Sequence, residues 1–201
     1  MGIDTLGGSK LAYLDGSELR EGKVFAQNRD CNVEERYPTA YNLGCGDKHW
    51  AHWINVDASL FVDADIVSDL RHLPIASDSA DAVAAIHVLE HFYQWEAFDL
   101  LSEWRRILKP GGKMILELPC MDKVCGYIVK SVKNKTGMQP FMTMHAFYGN
   151  PQHKEPAMCH KWGYFQQALI DLLKKVGMRE IQSQRPRYHF AFRDMRIECL
   201  K

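Results

Sequence analysis

At 201 residues, with 46% hydrophobic and 25% charged side chains, the chain is long enough for one domain with a sizeable core and has an ordinary soluble composition. Its 25 basic and 25 acidic residues cancel, so no broad electrostatic surface for nucleic acid is expected. No apolar run approaches the roughly 18 residues of a membrane span, so no membrane partner is expected. The first twenty residues lack the basic start and apolar core of a secretory signal, and Leu6 stands where a myristoylation motif needs Ser or Thr. Six scattered cysteines with no Cys-x-x-Cys read as reduced thiols in a cytoplasmic setting.

Residues 1–36 show little periodicity and read as an N-terminal arm or lid on a single domain spanning 1–201. Tyr41 to Leu43 is a first short strand, Ile54 to Asp57 a second, and Ala64 to Val67 a third. Asp81 to His87 is apolar on both faces, as a central parallel strand should be. Trp95 to Leu108 is an amphipathic helix, with Ala97, Leu100, Leu101, Trp104, Ile107 and Leu108 at three- and four-residue steps. Lys109-Pro110-Gly111-Gly112 stops it, because proline cannot continue a helix and glycine supplies the turn. Lys113 to Leu118 is the next strand.

Residues 120–160 read as a long substrate-side insertion, with one amphipathic helix through Val124, Tyr127, Ile128 and Val132. Trp162 to Val176 is a second clear helix, closed by Gly177, and Arg179 to Gln184 and Arg193 to Leu200 are two closing strands. The element order predicts an α/β sheet, mostly parallel and ending in an antiparallel hairpin.

The organising stretch is Tyr41-Asn42-Leu43-Gly44-Cys45-Gly46, followed by Ile54-Asn55-Val56-Asp57. It is a strand, a glycine turn, and a second strand ending in a carboxylate, which is how such sheets hold a ribose-bearing cofactor. A nucleoside-triphosphate loop is excluded, since Gly-x-x-x-x-Gly-Lys-Ser/Thr is absent. A dinucleotide fits poorly. His49 stands where the fingerprint needs a third glycine, and Asp57 comes only 11 positions after Gly46, against roughly 20 in the fingerprint. So short a spacing leaves the first crossover helix reduced or absent, and a pyrophosphate would lose its anchor. S-adenosylmethionine carries no phosphate and loses less.

Asp69-Leu70-Arg71-His72-Leu73-Pro74, Ser79-Ala80-Asp81-Ala82-Val83, His87-Val88-Leu89-Glu90-His91 and Trp104-Arg105-Arg106-Ile107-Leu108-Lys109-Pro110-Gly111-Gly112 continue the series in unbroken order. With the glycine turn and Asn55-Val56-Asp57, the chain resembles a class I S-adenosylmethionine-dependent methyltransferase of the type 11 group, a compact branch with a Rossmann-like sheet. The resemblance implies S-adenosylmethionine as cofactor. It implies that Asn42, Gly44, Cys45 and Gly46 pass beside the methionine and ribose. By the same likeness, Asp57 with Ala58 takes the ribose hydroxyls, Asp69 and Leu70 face the adenine, and His87 approaches the methionine end. Asn42 and Lys48 depart from the family's usual acid and third glycine. Glu90 reads as a favourable charge at the start of the following helix.

Methyl transfer is an in-line displacement needing alignment and exclusion of water, with a base where the acceptor holds its proton tightly. One of His145, His153 and His160 in the insertion is the expected base. The spacing of His145, His153, Cys159 and His160 matches no zinc pattern, so no metal is expected. Cys120 could serve as a nucleophile for carbon methylation of pyrimidines, but reads better as an incidental thiol. The expected reaction is methyl transfer to a small-molecule or glycan-type acceptor, through a hydroxyl. The rivals are a non-catalytic S-adenosylmethionine-binding domain and a dehydrogenase with a short fingerprint.

Overall fold

The structure is a computed structural model that describes residues 13–15, 18–20, 36–139 and 142–201. The chain forms two compact units, 1–31 and 32–201. In the first, β1 (Tyr13–Asp15) and β2 (Glu18–Arg20) pair antiparallel. The remainder of the expected arm through residue 35 lies outside the described residues.

The second unit is built on a seven-stranded sheet. β3 (Ala40–Leu43), β4 (Ile54–Asp57), β5 (Ile66–Val67) and β6 (Ala80–Ile86) are followed by α1 (Ala97–Ile107), β7 (Leu108–Pro119), α2 (Met121–Lys133) and α3 (Met144–Tyr148). α4 (Gln166–Val176), β8 (Arg179–Gln184) and β9 (Asp194–Leu200) complete it. The strand order is β5-β4-β3-β6-β7-β9-β8. The first five strands are parallel, and β9 runs antiparallel to both β7 and β8. This is the mostly parallel α/β sheet with a terminal hairpin that the sequence predicts.

Burial follows the sequence pattern. α1 turns Ala97, Leu100, Leu101, Trp104 and Ile107 inward, and Trp104 donates its indole N–H to the Leu70 carbonyl at 3.0 Å. α4 buries Leu169, Leu173 and Val176 in the same core and packs against α1. Its first free backbone N–H, on Gln166, is capped from outside by Asp122 of α2 at 2.8 Å. Gly177 closes it in the left-handed conformation, φ +92°.

Several details differ from expectation, among them β7, which starts at Leu108 and not at Lys113 and so takes in the expected turn Lys109-Pro110-Gly111-Gly112. α4 begins at Gln166 and not at Trp162, because Tyr164 is bridged to Cys120, giving its carbonyl to the Met121 N–H at 2.9 Å, and Phe165 is extended (φ −78°, ψ 144°). β5 is only two residues, because Asp65 is drawn aside to accept the Asn55 backbone and side-chain N–H groups at 2.7 and 3.0 Å. The insertion contains α3 and two 3₁₀ turns, Pro151–His153 and Pro156–Met158, besides the expected helix.

The first crossover helix is absent. Residues 44–53 are turns, closed by bonds from Lys48 N to Cys45 O (2.9 Å) and Trp53 N to Trp50 O (3.3 Å). Trp50 and Trp53 are buried there edge to face, centroids 5.1 Å apart, and fill space a helix would otherwise cover. No helix of the described residues is long and apolar enough to cross a membrane.

Candidate functional site

The carboxyl ends of β3, β4, β5 and β6 lie side by side, the place where open α/β sheets bind ligands. β3 leaves through Gly44 (φ +66°), whose backbone N–H bonds the Val56 carbonyl at 2.8 Å. A Cβ at Gly44 would meet Val88 Cγ2 at 2.6 Å, so only glycine lets this turn close against the segment after β6. Gly46 (φ +53°) differs: a Cβ there would meet nothing within 4 Å, and its N–H is held by Asp57 Oδ2 at 2.9 Å. Asp57 Oδ1 accepts the Ser59 N–H at 2.9 Å. Each oxygen therefore keeps a lone pair free for a diol. Ala58 is exposed beside it, and Leu60 and Phe61 follow as bare apolar side chains. Cys45 is buried, and burial first, then Asp57, raises its thiol to about 11.

Asp57 and Asp69 share one edge: the Ser68 N–H bonds the Asp57 carbonyl at 2.8 Å across the ends of β4 and β5. Asp69 is gripped by the Arg71 guanidinium, Nε at 3.0 and 3.1 Å and Nη2 at 2.7 Å, which lowers its carboxyl below the usual range. Leu70 is buried, and its carbonyl is used by Trp104. Asn42 is buried and its amide is spent inside the fold, on Lys48 O and Asn55 Oδ1, each at 3.0 Å.

β6 is followed directly by His87, a non-glycine residue at φ +56°. Its imidazole lies between two buried carboxylates: Nδ1 is 2.9 Å from Glu90 Oε1 and Nε2 is 3.3 Å from Asp194 Oδ2. Burial alone would lower its pKa, but Glu90 and Asp194 override it and hold the ring cationic, at about 9. The same partnership overcomes burial at Glu90 and brings its carboxyl to about 2. Asp194 falls below the usual carboxylate range for the same reason, helped by Arg193 at 2.6 Å.

A strap, residues 185–193, is fastened over this end. Glu117 of β7 has no exposed surface and accepts backbone N–H bonds from Arg187, Tyr188 and His189 at 2.9, 2.9 and 3.1 Å. Arg196 of β9, equally buried, faces it at 3.5 Å and pairs with Glu198 at 2.8 Å. Tyr188 stacks on Trp50 (4.8 Å, 20°). His189 lies 4.1 Å from the His87 ring and 2.8 Å from Lys48 Nζ. Burial and these neighbouring cations lower its pKa to about 3. A polar chain thus runs from the glycine turn through Lys48 and His189 to His87 and Glu90.

Of the three insertion histidines, the fold brings His160 to this chain. Its ring meets His91 edge to face at 5.0 Å, and its Nε2 stands 3.9 Å from Glu90 Oε1. His145 is half-buried on α3 and His153 is exposed on a 3₁₀ turn; neither belongs to the cluster around Glu90. Glu90 lies in the 3₁₀ turn Leu89–His91, 2% exposed and seven residues before α1, so it serves no helix start. Cys120 is buried, which pushes its thiol up and removes it as a ready thiolate. Sequence reasoning missed Glu117, Asp194, Arg196 and His189. For Glu117 and Arg196 the visible signal was charge inside strand-like apolar runs, Glu117 within Met114 to Leu118 and Arg196 with Glu198 within Met195 to Leu200.

Residues 47–116 match the family model described as a methyltransferase domain. No relative among the curated proteins matches this sequence. Among solved structures, the chain is similar to an S-adenosylmethionine-dependent methyltransferase of Archaeoglobus fulgidus, at 15% identity and TM-score 0.56, covering 81% of this chain and 86% of that one. It is similar to one from Methanosarcina mazei, at 13% identity and TM-score 0.56 over 85% and 95% of the two chains. A third, from Thermotoga maritima and described as a possible histamine N-methyltransferase, matches at 17% identity and TM-score 0.54 over 81% and 82%. At these identities the likeness is one of fold.

Proposed function

We propose that the chain is a class I methyltransferase of the type 11 group that uses S-adenosylmethionine as its cofactor and methylates a hydroxyl of a small-molecule or glycan-type acceptor; the match of residues 47–116 to a methyltransferase domain and the likeness of fold support the reading. When bound, the cofactor supplies an electrophilic methyl on a sulfonium, and the acceptor hydroxyl must give up its proton as the carbon–oxygen bond forms.

The observation that carries the reading is the cradle at Gly46 and Asp57. The open space over Gly46 and the lone pairs Asp57 retains suit a ribose diol. In this reading Gly44, Cys45 and Gly46 line the methionine and ribose with backbone. Ala58 and Leu70 flank the nucleoside, and Asp69, steadied by Arg71, offers its remaining lone pairs to the adenine amine. His87, held cationic, keeps its ring fixed at the methionine end. Of the three insertion histidines, His160 is the one supported as acting on the acceptor oxygen, since Glu90 links it to His87.

The rival reading, a cofactor-binding domain without turnover, is favoured by one detail: Asn42 is a neutral amide whose NH₂ is donated inside the fold, so it brings no negative charge to a ligand ammonium. Calorimetric titration with S-adenosylmethionine and S-adenosylhomocysteine, then a methyl-transfer screen over hydroxylated acceptors, tests both. Binding with turnover supports the proposal, binding without turnover on any acceptor supports the rival, and absence of binding removes both. A cytoplasmic setting is part of the proposal, and the absence of a disulfide among the described cysteines supports it.

A further inference from the structure

Glu90 carries an electrostatic puzzle. Its carboxylate is 98% enclosed; its close cation is His87, Nδ1 at 2.9 Å from Oε1, while Oε2 has no hydrogen-bond partner among the described residues. A buried oxygen without a partner is costly, even on a carboxylate whose other oxygen is paired. The groups around it are His87 Nδ1 at 2.9 Å, the rings of His91 and His160, and the Tyr164 hydroxyl, itself buried without a hydrogen-bond partner.

The two further histidines are oriented in the same way. His91 Nδ1 lies 3.2 Å from the Cys159 carbonyl and His160 Nδ1 lies 2.9 Å from the Ala146 carbonyl. A carbonyl only accepts, so Nδ1 is the protonated nitrogen in both rings, and Nε2 is left to carry the lone pair in the neutral form. The His160 lone pair then points toward Glu90 Oε1, 3.9 Å away, in a buried space. Two such donor atoms in one buried space can share a cation. One donor atom from each of Glu90, His91 and His160 lies within 4.8 Å of the others.

We propose that Glu90, His91 and His160 form a binding site for a divalent transition-metal ion of the Zn²⁺ class. Two imidazoles and one carboxylate, each imidazole oriented by a carbonyl on its far nitrogen, are the donor set such ions take. The backbone prebuilds it. The Glu90 carbonyl receives the N–H groups of Lys161 and Trp162, which pins the residue after His160 to the Leu89–His91 turn. The His160 N–H is in turn bonded to the Tyr148 carbonyl at 3.2 Å. The neighbouring group His87, His189 and Asp194 is a poorer candidate, because Asp194 already accepts from Arg193 and from the Phe190 N–H.

The inference deepens the proposed function and rests on it for its role. Three protein ligands leave a position open, and an acceptor hydroxyl bound there would be acidified by the ion. His160 would then serve as a ligand of the ion and not as the base, and the proton of the acidified hydroxyl would pass to solvent water.

The test uses the full chain, stripped with a chelator and titrated with Co²⁺ and Zn²⁺. The expected result is about one equivalent bound per chain, with visible ligand-field bands for Co²⁺. His91→Gln and His160→Gln should each weaken uptake by about tenfold or more, while His72→Gln, on an exposed loop, should leave it unchanged. S-adenosylhomocysteine binding, measured on the same His160→Gln protein, should persist. That persistence shows the variant folded and separates loss of the metal site from failure of the cofactor reading. Absence of stoichiometric uptake, or equal uptake by a His91→Gln/His160→Gln double variant, overturns the proposal.

Discussion

Truncating Glu117 to alanine should be among the most damaging changes in this protein. The carboxylate has no exposed surface, accepts three backbone N–H groups from residues 187–189, and faces the buried Arg196. Each hydrogen bond to a charged acceptor is worth about 1.5–3 kcal/mol net. Their simple sum overshoots, because a released strap regains water for its N–H groups. The cost of removing one side of a buried charged pair, about 3–5 kcal/mol, is the better figure. Against a total stability of about 5–15 kcal/mol, that removes a large share. Urea denaturation by linear extrapolation gives the loss, and amide hydrogen exchange at Arg187, Tyr188 and His189 shows where it falls. Glu117→Gln should lie between, since its amide keeps one accepting oxygen and places an NH₂ against the strap. A loss below about 1 kcal/mol with unchanged exchange at those three amides would refute the idea that the strap hangs on Glu117.

Gly44→Ala should destabilise by about 1–3 kcal/mol, from the positive φ and the Val88 clash. Adding Val88→Ala should recover the clash component alone, and a double variant no better than the single would count against the contact. Asp57→Ala should weaken S-adenosylhomocysteine binding by about tenfold or more while leaving the urea midpoint near wild type; unchanged affinity in calorimetry would move the ribose elsewhere. Acid should destabilise the fold in two stages. His189 is depressed from 6.5 to about 3 by burial and nearby cations, so its contribution is whole above about 6.5 and is lost as pH falls toward 3. Asp194 is also depressed, so its contribution is lost only below its ordinary 3.8. His189→Phe should flatten melting temperature against pH between about 6.5 and 4, and an unchanged slope would assign the effect to other groups.

Much of the sheet was legible because its strands and helices are apolar in the pattern their geometry needs. β4 ends at Asp57 as read, and α1 shows its buried face directly in the spacing of Leu100, Trp104 and Ile107. The missing crossover was legible too, from chain length alone between Gly46 and Asp57. The glycine turn and Asp57 could be singled out because their chemistry is local. The cluster around Glu90 could not be assembled that way. Glu90 and His91 are adjacent in sequence, but His160 joins them only because the carbonyl of Glu90 captures residues 161 and 162, a contact across seventy residues that no local pattern encodes. The strap was invisible for the same reason: the residues that hold it, Glu117 and Arg196, look misplaced within their strands until they face each other.

That facing pair decides how the last hairpin aligns. β9 is covered on both sides over Asp194 to Ile197, so alternation of polar and apolar residues cannot tell it which way to slide along β7. The partners are Glu117 with Arg196, flanked by Pro119 with Asp194 and Ile115 with Glu198. A slip of two residues keeps every side chain on its face, yet strands Arg196 opposite Ile115 or Pro119 and leaves Glu117 without its cation. Charge therefore sets the register that hydrophobicity leaves undetermined.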